Sequence, residues 1–466
     1  IIEEQSDATY FDARGNRSTS VLDNHSRVLQ SVDEVGRVTQ YTRDNNSLAT
    51  RTTRPNGSVV NSTYDLKGNI LDSTEQFNAA ATSYEYDDFS LVTSITNPRN
   101  HTTTYNRESG TGNLLSVVNH LGHTTSYQYD TRGLVTQSIS PNGLQTDYSY
   151  TATGLVQTKT ETPLSGPGSV RTTSYSYNDA GLLETLVTPD NITYNLTYDQ
   201  RSRPTGYTDN LGQKMLITYD EFGNIASMQT LNADGSSALS NSNKYDQRNR
   251  LIENSAPHGV DSDSVIQYLL DPESNITGTI DPNGNLNESA YDASNRLARF
   301  THRENGITDY QYDSLDRITL VRAPNGVTTT FTYDVLGRRL TENSSDRGTI
   351  RYSYDLANNT TQIIDARGIS ASYSYDELER LTTKTFPNSV EDITYSYDSC
   401  TLGVGYLCSI QDESGSYAYS YDAFGNIIQQ DKQELGQSYS TQYSYDSGNN
   451  IIAMQYPSGR TVNIQR

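Results

Sequence analysis

A Tyr-Asp pair returns every 21 residues along much of this chain, and that step constrains the fold more than any other feature. It stands at Tyr291, Tyr312, Tyr333, Tyr354 and Tyr375, and again at Tyr177, Tyr198 and Tyr219, where Asn178 once replaces the Asp. Elsewhere the step stretches to about 22–27 residues, as from Tyr219 to Tyr245 and from Tyr397 through Tyr421 to Tyr445. Towards the N-terminus the motif is read as degrading to Phe11-Asp12 and Val32-Asp33, which keep the 21-residue step. A fixed period of this length marks a stacked repeat architecture. Residues 1–466 therefore read as one continuous array, degenerate over about 1–110 and regular over about 111–466.

Two turn signals sit at fixed places in each unit. Gly follows the motif Tyr by four residues, as Gly133, Gly337 and Gly425 follow Tyr129, Tyr333 and Tyr421. Pro follows it by twelve, often as Pro-Asn-Gly, for example Pro324-Asn325-Gly326. Pro presets φ for its turn, and Gly supplies the positive φ that other residues avoid. The motif carboxylates Asp130, Asp313, Asp334, Asp355, Asp376 and Asp422 are placed to accept a backbone N–H two residues on, an Asx-turn. Two turns per unit leave segments of about seven residues, too short for helices rich in Thr, Val and Tyr. Hairpin strands are the natural reading.

Alternation agrees. Tyr-x-Tyr-Asp at Tyr310/Tyr312, Tyr352/Tyr354, Tyr373/Tyr375 and Tyr419/Tyr421 puts two Tyr on one face of a strand. Ser, Thr or Gln mostly take the other face, and an apolar residue such as Leu134, Ile318 or Leu381 opens the return strand. Burying one such side chain contributes about 1.5–3 kcal/mol, which suffices only when stacked neighbours share a face. About 22 repeats of two strands at ~4.8 Å make a ribbon of sheet roughly 210 Å long. Strands twist about 20–25° on one another, so the ribbon has to coil. The expected fold is all-β: tandem antiparallel hairpins of about 21 residues forming a spiralling sheet around a hollow. Tyr-lined inner faces suit a partly wet lumen, because a phenol packs its ring and still hydrogen-bonds water.

Composition supports an array over ordinary domains. Hydrophobic residues are 33%, with 36 Tyr but only 8 Phe, 3 Met and no Trp, so a Leu/Phe core of the usual scale is not available. A net charge of −22, from 34 basic and 56 acidic residues without a basic block, would repel a phosphate backbone and excludes nucleic acid as a partner. No apolar run approaches the roughly 20 residues of a membrane span, and Ile1–Tyr10 has no signal-peptide pattern. The chain opens and closes in mid-pattern and reads as a fragment of something longer.

Candidate chemistry is sparse. Cys400 and Cys408 flank a lengthened first turn, in which Gly405 comes eight residues after Tyr397, and they are disulfide candidates, with two reduced thiols as the alternative. A disulfide would agree with an extracellular or periplasmic setting. His120-Leu121-Gly122-His123 has the look of a metal pair but matches Asn210-Leu211-Gly212-Gln213, which fills a second turn. No catalytic residue, cofactor site or metal site is read from the sequence, and the regular Asp residues are explained by turn chemistry. The expectation is that this is not an enzyme.

The unit Tyr310-Gln311-Tyr312-Asp313-Ser314-Leu315-Asp316-Arg317-Ile318, followed by Pro324-Asn325-Gly326, resembles the Rhs or YD repeat, and the resemblance covers roughly residues 10–460. It implies a hollow β-cocoon like those of bacterial Rhs toxins, Tc toxin shells, wall-associated repeat proteins and the teneurin barrel. It also implies a C-terminal effector or toxin domain of the same polypeptide as partner, and a secreted or cell-surface location. The core segment that plugs such shells is not visible before Arg466. A second reading is an adhesion array whose Tyr and Asn bind cell-surface glycans or proteins. An enclosed lumen favours the shell, and an open rod with Tyr outward favours adhesion.

Overall fold

The computed structural model describes residues 6–11, 15, 17–76, 81–258 and 262–464, with only the main chain at 257, 258, 262 and 263. The described residues form 42 strands, from β1 (Ser6–Phe11) to β42 (Thr461–Asn463), in one antiparallel sheet. Each strand pairs with the next in sequence, as β28 (Ile307–Tyr312) with β29 (Ile318–Arg322) and β29 with β30 (Thr328–Tyr333). In such a meander, turns after even strands lie on one edge of the ribbon and turns after odd strands on the other. The Tyr-Asp turns take the first edge and the Pro-Asn-Gly turns the second.

The two edges differ in register. Tyr310 pairs with Val321 and Gln311 with Leu320, but Tyr312 pairs with Ile318, so a bulge sits at the motif turn. The same shift occurs at Tyr64, Tyr129, Tyr333 and Tyr354. Pairing at the following second turn is unbroken, Leu320 to Thr330 through Arg322 to Thr328. An extra residue on one edge of each hairpin bends the ribbon and adds twist.

This topology corrects the N-terminal register read from sequence. Val32-Asp33 ends β3 (Val28–Val32), an odd strand, and lies on the second edge. The degenerate motif positions are instead Leu22-Asp23 after β2 (Arg17–Leu22) and Arg43-Asp44 after β4 (Val38–Arg43), where the bulge recurs. Phe11 ends β1, and Asp12 lies outside the described residues. Both turn types use one five-residue frame: Asp33 N–H reaches Arg37 C=O at 3.1 Å, and Asp313 N–H reaches Arg317 C=O at 3.0 Å. Asp and Gly therefore mark either edge, and strand parity and the bulge separate the two.

Little is buried. Among the described residues the buried hydrophobics are Val59, Cys408, Tyr421 and Ala423. The accessible surface is 26901 Å², against about 17,000 Å² for a compact monomer of this mass. A wall one sheet thick, wet on both faces, accounts for the excess.

The ribbon closes on itself. The turn after β5 (Ala49–Thr53) touches the turn after β30, and the turn after β17 (Leu183–Val187) touches the turn after β40 (Gln437–Tyr445). Contacts 25 and 23 strands apart give a spiral of roughly 24 strands per revolution, so 42 strands make a first coil and most of a second. The second-turn edge of the lower coil faces the Tyr-Asp edge of the upper one.

Candidate functional site: the repeat lattice and the seam between coils

The motif residues form a lattice that runs from repeat to repeat. Asp313 Oδ1 accepts the N–H of Leu315 at 2.8 Å and of Arg317 at 3.1 Å. Asp130, Asp334, Asp355, Asp376 and Asp422 repeat this double acceptance, two and four residues on, at 2.8–3.0 Å. Gly133, Gly337 and Gly425 hold the left-handed place three residues after the Asp, at φ 81°, 89° and 86°. Where Gly is missing, Asp316, Asn358 and Glu379 adopt the same conformation. In the second turn Gly326 has φ 83°, and Asn325 Oδ1 accepts from Val327 N–H at 3.1 Å. Pro324 stands at the turn's first corner, after Ala323.

The motif Tyr has a role that the sequence reading missed. Tyr333 Oη donates to Ile318 C=O at 2.7 Å, fifteen residues back. Tyr129, Tyr312, Tyr354 and Tyr375 make the same bond to Leu114, Leu297, Arg339 and Thr360 at 2.8–2.9 Å. Tyr421, beside the lengthened turn, reaches Leu407 at 2.6 Å. Each acceptor opens the strand just past the previous motif turn, at the bulge that disturbs the ladder. The motif phenols therefore staple one hairpin to the next, a role beyond the lining of a lumen that the sequence suggested. Burial of the ring raises the pKa of Tyr312, Tyr354 and Tyr375.

The residue four after the motif Asp completes the lattice, also unforeseen. Arg317 Nε donates to its own Asp313 at 2.6 Å, and Nη1 donates to the next repeat's Asp334 C=O at 2.9 Å. Its guanidinium lies 4.6 Å from the centre of the Tyr333 ring. Arg296 and Arg338 repeat the clamp over Tyr312 and Tyr354 at 4.7 and 4.9 Å. Where Asn stands in this place, as Asn275, it bonds Asp271 at 2.8 Å and Asn295 of the next repeat at 2.9 Å. The Arg250 side chain, with backbone N–H groups, lowers the Asp246 pKa to about 2. Asp313 is lowered despite burial, which pushes the other way, because Arg317 and two N–H groups bond it.

The seam joins the coils. Asn56 and Asn142, the central residues of two lower-coil Pro-Asn-Gly turns, donate through Nδ2 to Val335 C=O at 3.2 Å and Val404 C=O at 2.7 Å. Arg99 donates to Asp376 C=O at 2.9 Å and Tyr375 C=O at 3.2 Å. Arg37 reaches Ser314 C=O at 3.3 Å and the Asp316 carboxylate. Further on, Pro167 C=O accepts Ala423 N–H at 3.3 Å, and Pro189 C=O accepts from Ser447 Oγ at 2.8 Å. Arg171, only 6% exposed, lies 3.4 Å from the centre of the Phe424 ring and bonds Asn449.

Cys400 and Cys408 are joined by a disulfide, Cα atoms 5.4 Å apart, within the long turn between β36 (Ile393–Tyr397) and β37 (Leu407–Asp412). That turn sits on the seam. His120 and His123 lie in the second turn that Asn119 N–H closes onto His123 C=O at 3.1 Å, and the His120 ring stacks on His101 at 4.5 Å.

Comparison with known proteins agrees with this geometry. The teneurin YD-shell family model matches residues 227–389, and the RHS repeat model matches residues 109–143 and 421–461. No curated protein matches the sequence significantly. Among solved structures, TcdB2-TccC3-Cdc42 superposes with a TM-score of 0.67 at 13% identity, over 98% of this chain and 27% of that one. A mutant Tc holotoxin pore of Photorhabdus luminescens gives 0.66 at 13% identity, over 98% of this chain and 26% of that one. TcdB2-TccC3 gives 0.57 at 13% identity, over 99% and 35%. This chain thus spans about a third or less of each of these three chains. With its repeat lattice, its coiled single sheet and these matches, the chain belongs to the Rhs/YD-repeat family.

Proposed function

We propose that this chain is a wall segment of a secreted Rhs/YD-repeat protein whose shell encloses a toxin or effector domain at the C-terminal end of the same polypeptide. The observation that carries the reading is closure of the ribbon along a bonded seam. A revolution of roughly 24 strands at ~4.8 Å has a backbone radius of about 18 Å, and two stacked coils of such strands enclose roughly 25,000 Å³. Small-molecule sites reach about 1,000 Å³, so the occupant that fits is a polypeptide. One of the matching structures is a Tc holotoxin pore, which supports a toxin as that occupant. The adhesion reading is less supported, because Tyr10, Tyr439 and Tyr456 are the tyrosines among the exposed large side chains.

The test is limited proteolysis of the full-length gene product. The C-terminal segment is expected to resist protease while the wall is folded and to be cut once denaturant opens it. Cleavage as fast as in the isolated segment would contradict the proposal.

A further inference from the structure

One stretch of the seam is packed with apolar side chains. Three of the four buried hydrophobics, Cys408, Tyr421 and Ala423, cluster there. From the lower coil come Asn142 and the stretch Pro163–Arg171; from the upper coil come the 398–406 loop and the Asp422 turn. Asn142 Nδ2 bonds Val404 C=O at 2.7 Å. The Leu402 side chain occupies the space beside Gly166, where an added Cβ would meet it at 2.3 Å. Phe424 fills the space beside Gly168 in the same way, at 2.8 Å. Tyr406 stacks on Tyr421 with ring centres 4.8 Å apart, and Gly425 leaves room for its hydroxyl.

The loop is packed against its own disulfide. Gly403 passes against both sulfurs, where any Cβ would stand 2.3 Å from Cys400 Sγ and 2.6 Å from Cys408 Sγ. Leu402, the residue that docks on Gly166, is held at φ 56°, a conformation an unconstrained Leu leaves readily. Asp398 is braced separately by Arg380 and by Gly405 N–H at 2.6 Å. The disulfide closes the loop that carries Leu402 and Val404 across the seam.

We propose that the Cys400–Cys408 disulfide is a redox latch on the seam, closed in oxidising surroundings and opened by a dithiol, so that the coils loosen at this place. This rests on the shell reading and adds its release. A thiolate of the dithiol attacks the half-buried Cys400 Sγ, forming a mixed disulfide while Cys408 leaves as thiolate and takes up a proton. The second thiol of the reductant then displaces Cys400. Two electrons pass to the cysteine pair, and the reductant leaves as its own disulfide. The freed loop no longer holds Leu402 against Gly166 or Val404 C=O against Asn142.

Hydrogen exchange of the whole chain, with and without a dithiol, tests the latch. Opening the loop closed by a sequence separation of 8 is expected to speed exchange at residues 398–408 by roughly 70-fold, the loop-closure entropy of so short a ring. Residues 140–144 and 163–171 of the lower coil are expected to speed up with it, and residues 54–58 and 97–101 to stay protected. A rise confined to 398–408, or none, overturns the latch and leaves the shell. Lack of protection at 54–58 and 97–101 in the oxidised chain overturns the shell reading and the latch with it. The double variant Cys400→Ser/Cys408→Ser is expected to show the reduced pattern without dithiol, and full seam protection in it would also overturn the latch. If that variant does not fold, the dithiol measurement on the native chain decides alone.

Discussion

Replacing Tyr333 with Phe removes one oxygen from the wall and leaves the ring in place. The lost bond is the one from Tyr333 Oη to Ile318 C=O, 2.7 Å long, which ties β30 to the start of β29 across the bulge. The Arg317 guanidinium over the ring, at 4.6 Å, is untouched. A net hydrogen bond contributes about 0.5–1.5 kcal/mol, and a half-buried acceptor that regains some water sits near the middle of that range. About 1 kcal/mol is a roughly fivefold rise in local opening. An array this long does not unfold as one cooperative unit, so a global midpoint would blur the effect. Native-state hydrogen exchange over β28 to β31 (Arg339–Ser344) reads it directly. Tyr333→Leu also loses the cation–ring contact, a further ~0.5–1 kcal/mol, besides packing. If Tyr333→Phe exchanges as the native chain does while Tyr333→Leu is faster, the hydroxyl staple contributes nothing and the account of the motif fails.

Three further outcomes are expected. Arg171→Ala removes the guanidinium from Phe424 and Asn449, and about 2 kcal/mol of local protection should go at 163–171 and 446–450; unchanged exchange there would contradict the seam. Asp130, Asp246 and Asp313 have folded pKa values below their ordinary 3.8, Asp246 at about 2. Their contribution is therefore complete above about pH 4 and lost as pH falls towards 2, so the strand signal in circular dichroism should hold to about pH 4 and then decline. Gly425→Ala puts a methyl 2.3 Å from Tyr406 Oη at φ 86°, whereas Gly326→Ala meets nothing within 4 Å at φ 83°; the first should destabilise its turn by clearly more than the second, in exchange at each site.

The hairpins and their turns were legible because each is written in neighbouring residues. Asp313 and Gly337 act within five residues, and the alternation of Tyr310 and Tyr312 shows on the page. The staple from Tyr333 to Ile318 was not legible, because it depends on the bulge that displaces the ladder at the previous turn. Arg317 stood in plain view after its turn, but its span to Asp334 and Tyr333 needs the spacing of neighbouring strands in three dimensions. Asp33 was misplaced because both edges use the same turn frame. The seam was hidden most deeply. Asn56 and Val335 are 279 residues apart, and their meeting depends on how many strands one revolution takes, which the sum of many small twists decides.

That meeting is also where the account is most exposed. Spin labels on Asn56→Cys and Val335→Cys would report the distance across the seam, since the native cysteines are bonded to each other. In the closed spiral Asn56 Nδ2 lies 3.2 Å from Val335 C=O, so the labels should stand within about one strand length, ~20 Å. An open ribbon would hold them 25 strands apart, roughly 120 Å at ~4.8 Å per strand, and a separation beyond reach of the measurement would contradict the closed wall.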